Sequence, residues 1–306
     1  MRRHVLPLIA VLLSTVVLME LALQVIALGA RRGLLQADPG GGGGAGVVRI
    51  LCLGDSHTYG LPLPASESYP AQLERALEER FAPWRFEVIN LGIPGLNSSF
   101  VANRLERQMM QLRPDLVAIW VGINNRWNVI ESGALPDDDV WTVLRRALMP
   151  LRLFRYASIA WFSNVGYQYD PEQRGGWFEG ELPPSGRLAR GHHPRHFARL
   201  VADMESMVAT ARSLDTPILF LGYPLPSQRP LSTTIERTAA RLGVAVVHSA
   251  SARERAERDG YGWEQLVDDT AGPHPSSLLY RYVVDDMAPL VRELLAVRGI
   301  VLVPSD

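Results

Sequence analysis

Short apolar runs alternate with amphipathic segments after residue 46, and this alternation constrains the fold more than any other feature. The runs at 47–53, 85–91 and 114–122 are apolar and bounded by turn residues, as buried strands are. The stretches 69–81 and 99–112 between them carry apolar side chains at helical spacing. Strands that alternate with helices form βαβ units, whose parallel sheet is covered on both faces. The sequence therefore predicts an α/β domain with a mostly parallel sheet.

The alternation resumes after a long interruption. The later elements are predicted as a helix at 195–214, a strand at 217–224, a helix at 233–243, a short strand at 244–249 and a closing helix at 276–299. The interruption, residues 126–192, mixes arginines with leucines and aromatic residues. It is interpreted as an insertion that packs on its own domain, as a lid, or as an amphipathic helix on a membrane surface.

The first 32 residues combine a basic start with a long apolar stretch. A bilayer core needs about 20 helical residues, whereas the apolar region of a signal peptide has only about 7 to 15. We therefore expect residues 1–32 to form an uncleaved signal anchor, a single transmembrane helix. Glu20 and Gln24 lie one turn apart and should share one face of it. Because Arg2 and Arg3 precede the span, the rest of the chain is expected on the extracytoplasmic, periplasmic side.

A glycine-rich stretch separates this segment from the folded domain. Residues 33–46 are predicted to be a flexible linker, and the domain extends over 47–306. The formal net charge of -1 argues against a nucleic-acid partner, which requires a clustered basic surface. Cys52 is the single cysteine, which excludes an internal disulfide and a cysteine-rich metal site. No cofactor and no metal ion are expected.

Polar residues and glycines follow the predicted strands at their carboxyl ends. Ser56 follows the first strand, Gly95 the second and Asn124 the third, and His274 precedes the last helix. Ligands of open α/β sheets bind beyond the carboxyl ends of the strands. We therefore expect these four residues to meet at one edge of the sheet.

Their residue types suit nucleophilic catalysis by serine. A serine needs a base to take its proton, and the base needs an orienting partner. His274 is the candidate base; His57 is a weaker alternative, because its side chain points away from that of adjacent Ser56. An attacked carbonyl also develops an oxyanion, which the backbone N–H groups of Ser56 and Gly95 and the amide of Asn124 would stabilise.

Four stretches, "GDSHTYG", "NLGIPGLN", "GINN" and "HPS", resemble in content and order the four blocks of the SGNH hydrolases, also called the GDSL esterase/lipase family. The resemblance covers residues 47 to 299. It implies a flavodoxin-like, three-layer α/β/α fold. It also implies Ser56 as the nucleophile, His274 as the base, Gly95 and Asn124 in the oxyanion hole, and no catalytic metal.

Two positions depart from the family pattern. Asn125 stands where the third block usually has an aspartate, and Ala271 stands where an aspartate commonly precedes the histidine. Asp268 and Asp269 are then the candidates for orienting His274, and we prefer Asp269 because it is nearer. Either the loop bulges so that this acid reaches the imidazole, or the site works as a Ser–His dyad.

The predicted function is that of a membrane-anchored serine esterase. It would hydrolyse carboxylic esters, such as acyl or acetyl esters of lipids or glycans, through an acyl-serine intermediate. One alternative is a cell-envelope glycan O-acyltransferase that uses the same site. Another is an inactive anchored binding module, which the altered last block would favour.

Overall fold

The computed structural model of the chain forms two compact units. It describes residues 2–35, 47–134, 138–166 and 195–304. The sheet unit is formed by Gly42–Asp137 and Tyr169–Asp306, and the helical unit by Met1–Gly41 and Asp138–Gln168.

The sheet unit contains five parallel strands. They are β1 (Val47–Gly54), β2 (Arg85–Gly92), β3 (Leu116–Trp120), β4 (Ile218–Leu221) and β5 (Ala245–Val247). Their order is β2-β1-β3-β4-β5, and each neighbouring pair is parallel. This is the flavodoxin-like order, in which the chain reverses direction across the sheet between β1 and β3. The predicted α/β fold with a mostly parallel sheet is confirmed.

Helices cover both faces of this sheet. Among the described residues, the α-helices are α1 (Arg2–Leu35), α2 (Ser56–Tyr59), α3 (Tyr69–Arg80), α4 (Ser98–Leu112), α5 (Val140–Leu148), α6 (Arg152–Gly166), α7 (Arg195–Ser213), α8 (Arg229–Leu242), α9 (Ser249–Arg258), α10 (Trp263–Leu266) and α11 (Ser277–Val297). Helices α3, α9 and α11 pack together, and α4, α7 and α8 form the other group. Right-handed βαβ crossovers place these two groups on opposite faces.

The core follows from strands that are buried on both faces. Ile50, Leu51 and Cys52 of β1 and Trp120 of β3 are fully buried. Burial raises the pKa of the Cys52 thiol to about 12, so the thiol stays protonated. These strands read as continuous apolar runs because neither face meets water.

Several elements of the sheet unit escaped prediction, among them helix α9 and the two strands of a short hairpin. Helix α9 is mostly charged, and the side chains that it buries, those of Ser249, Ala252 and Ala256, are all small, so its apolar stripe is too thin to recognise. Strands β6 (Val267–Asp268) and β7 (His274–Pro275) pair antiparallel but have two residues each. Such short strands carry no readable periodicity.

In the helical unit, α1 packs against α6 through a polar contact. Glu20 accepts hydrogen bonds from the backbone N–H groups of Arg152 (2.8 Å) and Leu153 (2.9 Å), at the start of α6. Gln24 Nε2 donates to Glu20 Oε1 at 2.6 Å, so the two side chains share a face as predicted. A carboxylate at a helix N-terminus satisfies N–H groups that have no partner within the helix.

The prediction of a transmembrane helix at residues 1–32 is not supported. Glu20 and Gln24 interrupt the apolar stretch of α1 and hydrogen-bond to the segment that begins α6. Over the residues that the structure describes, no helix combines the length and the apolar character needed to cross a membrane. Of the predicted linker 33–46, residues 36–46 lie outside the described residues, as do 135–137 and 167–194 of the segment 126–192.

Candidate active site

Ser56 begins helix α2, directly beyond the end of β1. Asp55 caps this short helix, with its Oδ1 accepting a hydrogen bond from the N–H of His57 at 3.0 Å. A Cβ at Gly54 would lie 2.0 Å from the carbonyl oxygen of Trp120, so only glycine allows this close turn. The first N–H groups of a helix have no intrahelical acceptor. The backbone N–H of Ser56 is therefore placed to serve a ligand.

His274 is brought to Ser56 by the β6–β7 hairpin. In that hairpin His274 pairs with Asp268, and the imidazole is largely buried. Its Nε2 lies 2.8 Å from Ser56 Oγ, and its Nδ1 lies 2.7 Å from the carbonyl oxygen of Gly272. A carbonyl oxygen only accepts, so Nδ1 carries the proton and Nε2 accepts from the serine hydroxyl. This is the tautomer that a general base requires.

The structure does not bring Asp269 to His274. Asp269 is exposed, and within the described part of the chain the partner of Nδ1 is the Gly272 carbonyl. Asp268 faces His274 across the hairpin, but its Oδ1 accepts from the N–H (2.9 Å) and the hydroxyl (2.6 Å) of Thr270. The preference for Asp269 as the orienting acid is therefore not supported, and the geometry is that of a Ser–His dyad.

The His274 imidazole is held in its neutral form. Burial lowers the pKa of His274 to about 4, and the nearby charge of His57 acts in the same direction. The hydrogen bond to the Gly272 carbonyl and the charges of Asp55 and Asp268 oppose this shift of the pKa. A base must be unprotonated to accept the serine proton, and the neutral imidazole of His274 meets this requirement.

Asparagine side chains join the loops that follow β2 and β3. Asn124 Nδ2 donates to the carbonyl of Leu96 at 3.0 Å, and Asn128 Nδ2 donates to the carbonyl of Gly95 at 2.7 Å. Asn124 Oδ1 accepts from the indole N–H of Trp127 at 2.9 Å. This contact identifies the oxygen of the Asn124 amide, so the NH2 group is the end that faces Leu96. The structure thus brings Gly95 and Asn124, two of the predicted oxyanion-hole residues, onto adjoining loops.

A buried acid from helix α7 supports these loops. Asp203 Oδ2 accepts hydrogen bonds from the hydroxyls of Ser98 (2.6 Å) and Ser99 (2.7 Å), at the start of α4. Asn125 donates to Ser98 Oγ at 2.6 Å and accepts from the Ser98 N–H at 2.9 Å. Burial raises the pKa of Asp203, against the lowering effect of both serines and of Arg199. Asn125 and Asp203, which are far apart along the chain, thus both hold Ser98 at the start of α4.

Sequence reasoning missed Asp203 and the carbonyl of Gly272. Asp203 lies in the middle of an ordinary amphipathic helix, where an acid carries no motif. The carbonyl of Gly272 is a backbone group, which every residue has. Its contact with His274 depends only on the direction in which the carbonyl points. Gly272 has φ of 80°, a left-handed conformation that glycine adopts readily, and that glycine was the available signal.

Several solved structures superpose on this chain. No protein of curated function matches the chain. LAE5, an α/β hydrolase enzyme from the metagenome of Lake Arreo, Spain, superposes with a TM-score of 0.50 at 18% identity, covering 79% of this chain and 94% of LAE5. TesA gives a TM-score of 0.49 at 19% identity, covering 80% of this chain and 99% of TesA. Axe2, an acetylxylan esterase from Geobacillus stearothermophilus, gives 0.48 at 16% identity, covering 79% and 93%.

At these identities the structural likeness concerns the fold alone. The sequence match is more specific: the model of the GDSL-like lipase/acylhydrolase family matches residues 52–282. That span holds Ser56, Gly95, Asn124 and His274, and it covers most of the chain. The chain belongs to the GDSL-like lipase/acylhydrolase family and is an SGNH-type carboxylic ester hydrolase.

Proposed function

We propose that the protein hydrolyses carboxylic esters with a Ser56–His274 dyad and without an acidic third member. The observation that carries the proposal is the 2.8 Å contact between His274 Nε2 and Ser56 Oγ, with Nδ1 held by the Gly272 carbonyl. Hydrogen-bond reach and the correct tautomer are the two requirements for a base that activates serine. The same contact supports an enzyme over the inactive binding module.

In the acylation step, Ser56 Oγ attacks the ester carbonyl carbon while His274 Nε2 takes the hydroxyl proton. The tetrahedral oxyanion receives hydrogen bonds from the N–H groups of Ser56 and Gly95 and from the amide of Asn124. The C–O bond to the alcohol then breaks, and the imidazolium gives its proton to the departing alkoxide oxygen. The products are the free alcohol and an acyl-Ser56 ester.

In the deacylation step, water takes the place of the alcohol. His274 Nε2 accepts a proton from water, whose oxygen attacks the acyl carbon, and the C–O bond to Ser56 breaks. Ser56 recovers its proton from the imidazolium, and the carboxylic acid leaves. Because no carboxylate holds Nδ1, the imidazolium of both steps is stabilised by the carbonyl dipole of Gly272.

We propose that the substrates are uncharged acyl or acetyl esters of a lipid or a glycan. Tyr59 on helix α2 and Ile93, which follows β2, are large apolar side chains that remain exposed. Both belong to the segments that carry Ser56 and Gly95. Apolar side chains beside polar catalytic groups are typical of sites that take apolar ligand groups.

The direct test is hydrolysis of esters of graded acyl length by the full chain and by Ser56→Ala. We expect kcat/KM of the variant to fall by at least ~10³-fold on every ester that the parent cleaves. A fluorophosphonate probe should label the parent chain and not the variant. Equal inertness of parent and variant on all acyl lengths, with no labelling, would refute the proposed hydrolase.

The choice of acyl acceptor distinguishes an acyltransferase from a hydrolase. The acyl-enzyme is formed with a labelled acetyl ester and supplied with water alone or with a glycan. Release of free acetate at the same rate in both cases supports the hydrolase. Transfer of the label to the glycan as the main product would assign the transferase instead.

We also propose that the sheet unit works on the extracytoplasmic side. The support is the basic start of the chain, followed by apolar residues, which is typical of an export signal. Protease added to intact cells with a permeable outer envelope should digest the sheet unit. Protection of that unit until the inner membrane is lysed would place it in the cytoplasm.

A further inference from the structure

The residue after the nucleophile, His57, is a second buried imidazole beside the base. His57 is 1% exposed. Its ring packs edge-on against Tyr223, with centroids 4.8 Å apart, and lies against Trp120 at 5.3 Å. The His57 ring also lies against the His274 ring, with ring centroids 5.1 Å apart and planes inclined by 39°. The sequence comparison with the SGNH blocks assigns no role to this position.

The carboxylate nearest to this pair contacts His57. Asp55 is fully buried, and its Oδ1 lies 3.3 Å from Nδ1 of His57. Its Oδ2 accepts a hydrogen bond from the hydroxyl of Tyr223 at 2.5 Å. The contact between His57 and Asp55 is electrostatic, because neither ring nitrogen of His57 makes a hydrogen bond to any described residue.

The other titratable groups that face His57 are neutral. Tyr280 on α11 donates its hydroxyl to the carbonyl of His57 at 2.9 Å, and burial holds the pKa of Tyr280 well above its ordinary value. Tyr223 donates its hydroxyl to Asp55 and so keeps its proton. The proton balance of this cluster therefore involves Asp55 and two imidazoles, and Asp268, which faces His274 across the hairpin, adds a charge that favours protonation of the base.

Two imidazoles at this separation do not both ionise readily, because like charges in a buried site repel. The acid of the cluster, Asp55, contacts His57 and not the base. We propose that His57, held beside Asp55, is a positioning residue that keeps His274 unprotonated as the base under mildly acidic conditions. The inference rests on the proposed function in one respect, namely that His274 is the base.

This arrangement reverses the usual effect of an acid in a serine hydrolase. An aspartate on Nδ1 of the base favours the protonated imidazole. Here Asp55 contacts the neighbouring ring, and positive charge on that ring opposes protonation of His274. Burial is the largest cause of the lowered pKa of His274, and the charge of His57 is the next. The effect of His57 has the direction that the proposal requires. Ester hydrolysis should therefore persist to lower pH than a Ser–His–Asp site allows.

The test compares the titration of His274 in the full chain with that in His57→Phe. Histidines labelled with ¹³C are followed by NMR from pH 3.5 to 8, and the His274 signal is identified by its loss in His274→Gln. Phenylalanine fills a similar space and breaks no side-chain hydrogen bond. We expect the pKa of His274 to rise by about one unit or more, because the neighbouring charge is gone. The acid limb of kcat/KM should move by the same amount, with a loss of about tenfold on that limb and little change at pH 8.

The matched control is His248→Phe. The His248 side chain is 56% exposed and lies 3.4 Å from Glu236, so its charge is screened by water. This variant should leave the titration of His274 unchanged. His57→Gln serves as a second uncharged variant if the phenylalanine variant does not fold.

Unchanged titration of His274 in both uncharged His57 variants would overturn the inference, whatever the activity. If the pKa of His274 rises in the His57 variants but the parent cleaves no ester at any pH, the proposed role of His57 is supported and the proposed hydrolase is refuted. The two proposals therefore fail separately.

Discussion

At the scale of single residues, the partner of the His274 Nδ1 distinguishes this site from a triad. That partner is the carbonyl of Gly272, and the carboxylate of Asp269 is exposed. A backbone carbonyl orients the ring but brings no charge. The imidazolium is then stabilised less than it would be beside an aspartate.

We predict that Asp269→Asn leaves kcat/KM within about twofold of the parent, because no catalytic hydrogen bond is lost. Steady-state hydrolysis of the best ester at pH 7.5 measures it. Asp268→Asn is the matched variant: it weakens the turn that Thr270 makes with Asp268 and should lower kcat moderately. A loss near ~10⁴-fold in Asp269→Asn would show that the acid reaches the imidazole after all.

Gly95 is the second residue whose identity we expect to affect activity strongly. Its φ is 79°, and a Cβ there would lie 3.3 Å from the ring of Trp127. We predict that Gly95→Ala lowers kcat/KM by roughly 10- to 100-fold, because its N–H would turn away from the oxyanion. Its cost in the free energy of unfolding should be ~1–2 kcal/mol.

Gly260→Ala is the control for that strain. Gly260 has φ of 96° and nothing within 4 Å of an added Cβ. It should lose similar stability but keep its activity. Equal kcat/KM losses in both variants would mean that the effect of Gly95→Ala reflects general destabilisation.

At the scale of elements, helix α7 holds the loops of the proposed oxyanion hole through Asp203. Both Ser98 and Ser99 donate to this carboxylate, and Ser98 in turn holds Asn125 next to Asn124. The start of α4 and the loop after β3 are thereby joined to a helix far along the chain. The position of the Asn124 amide depends on this packing.

We predict that Asp203→Ala lowers the free energy of unfolding by ~2–3 kcal/mol, because two buried hydroxyls lose their acceptor. Urea unfolding at pH 7 measures it. Glu205→Ala, two residues away, removes an exposed ion pair with Arg241 and should cost ~0–1 kcal/mol. Similar losses in both variants would contradict a structural role for the buried acid.

At the scale of the whole molecule, the buried base makes stability depend on pH. The pKa of His274 is about 4 in the folded chain, and the ordinary value is 6.5. As the pH falls below 6.5, the unfolded chain therefore binds this proton before the folded chain does. The folded state loses stability between about pH 6.5 and pH 4, and the loss from this group levels off below that range.

We predict that this group alone removes at most ~3 kcal/mol over that window. Urea unfolding of the parent and of His274→Gln at pH 7, 5.5 and 4.5 tests it, since the glutamine variant lacks this titration. The parent should lose more stability on acidification than the variant. Parallel pH profiles would show that His274 has similar pKa values in the folded and unfolded chains.

The sequence alone predicted the elements that carry long apolar patterns. Strands β1 to β4 and helices α3, α4, α7 and α11 lie where periodicity placed them, within a few residues. Local periodicity is readable because each such segment buries one face or both. Helix α9 was missed because the side chains that it buries are small and leave no long apolar pattern. The expected transmembrane helix was not found in the described residues, where Glu20 and Gln24 bind the start of α6.

The sequence by itself determined that Ser56, Gly95, Asn124 and His274 would lie at one edge, because the carboxyl ends of parallel strands share that edge. Only the tertiary structure decided what holds each of them. The carbonyl that orients His274, the acid of α7 and the imidazole beside the base meet through side chains and turns that are distant along the chain. Such contacts depend on how packed elements approach each other, which local patterns do not encode.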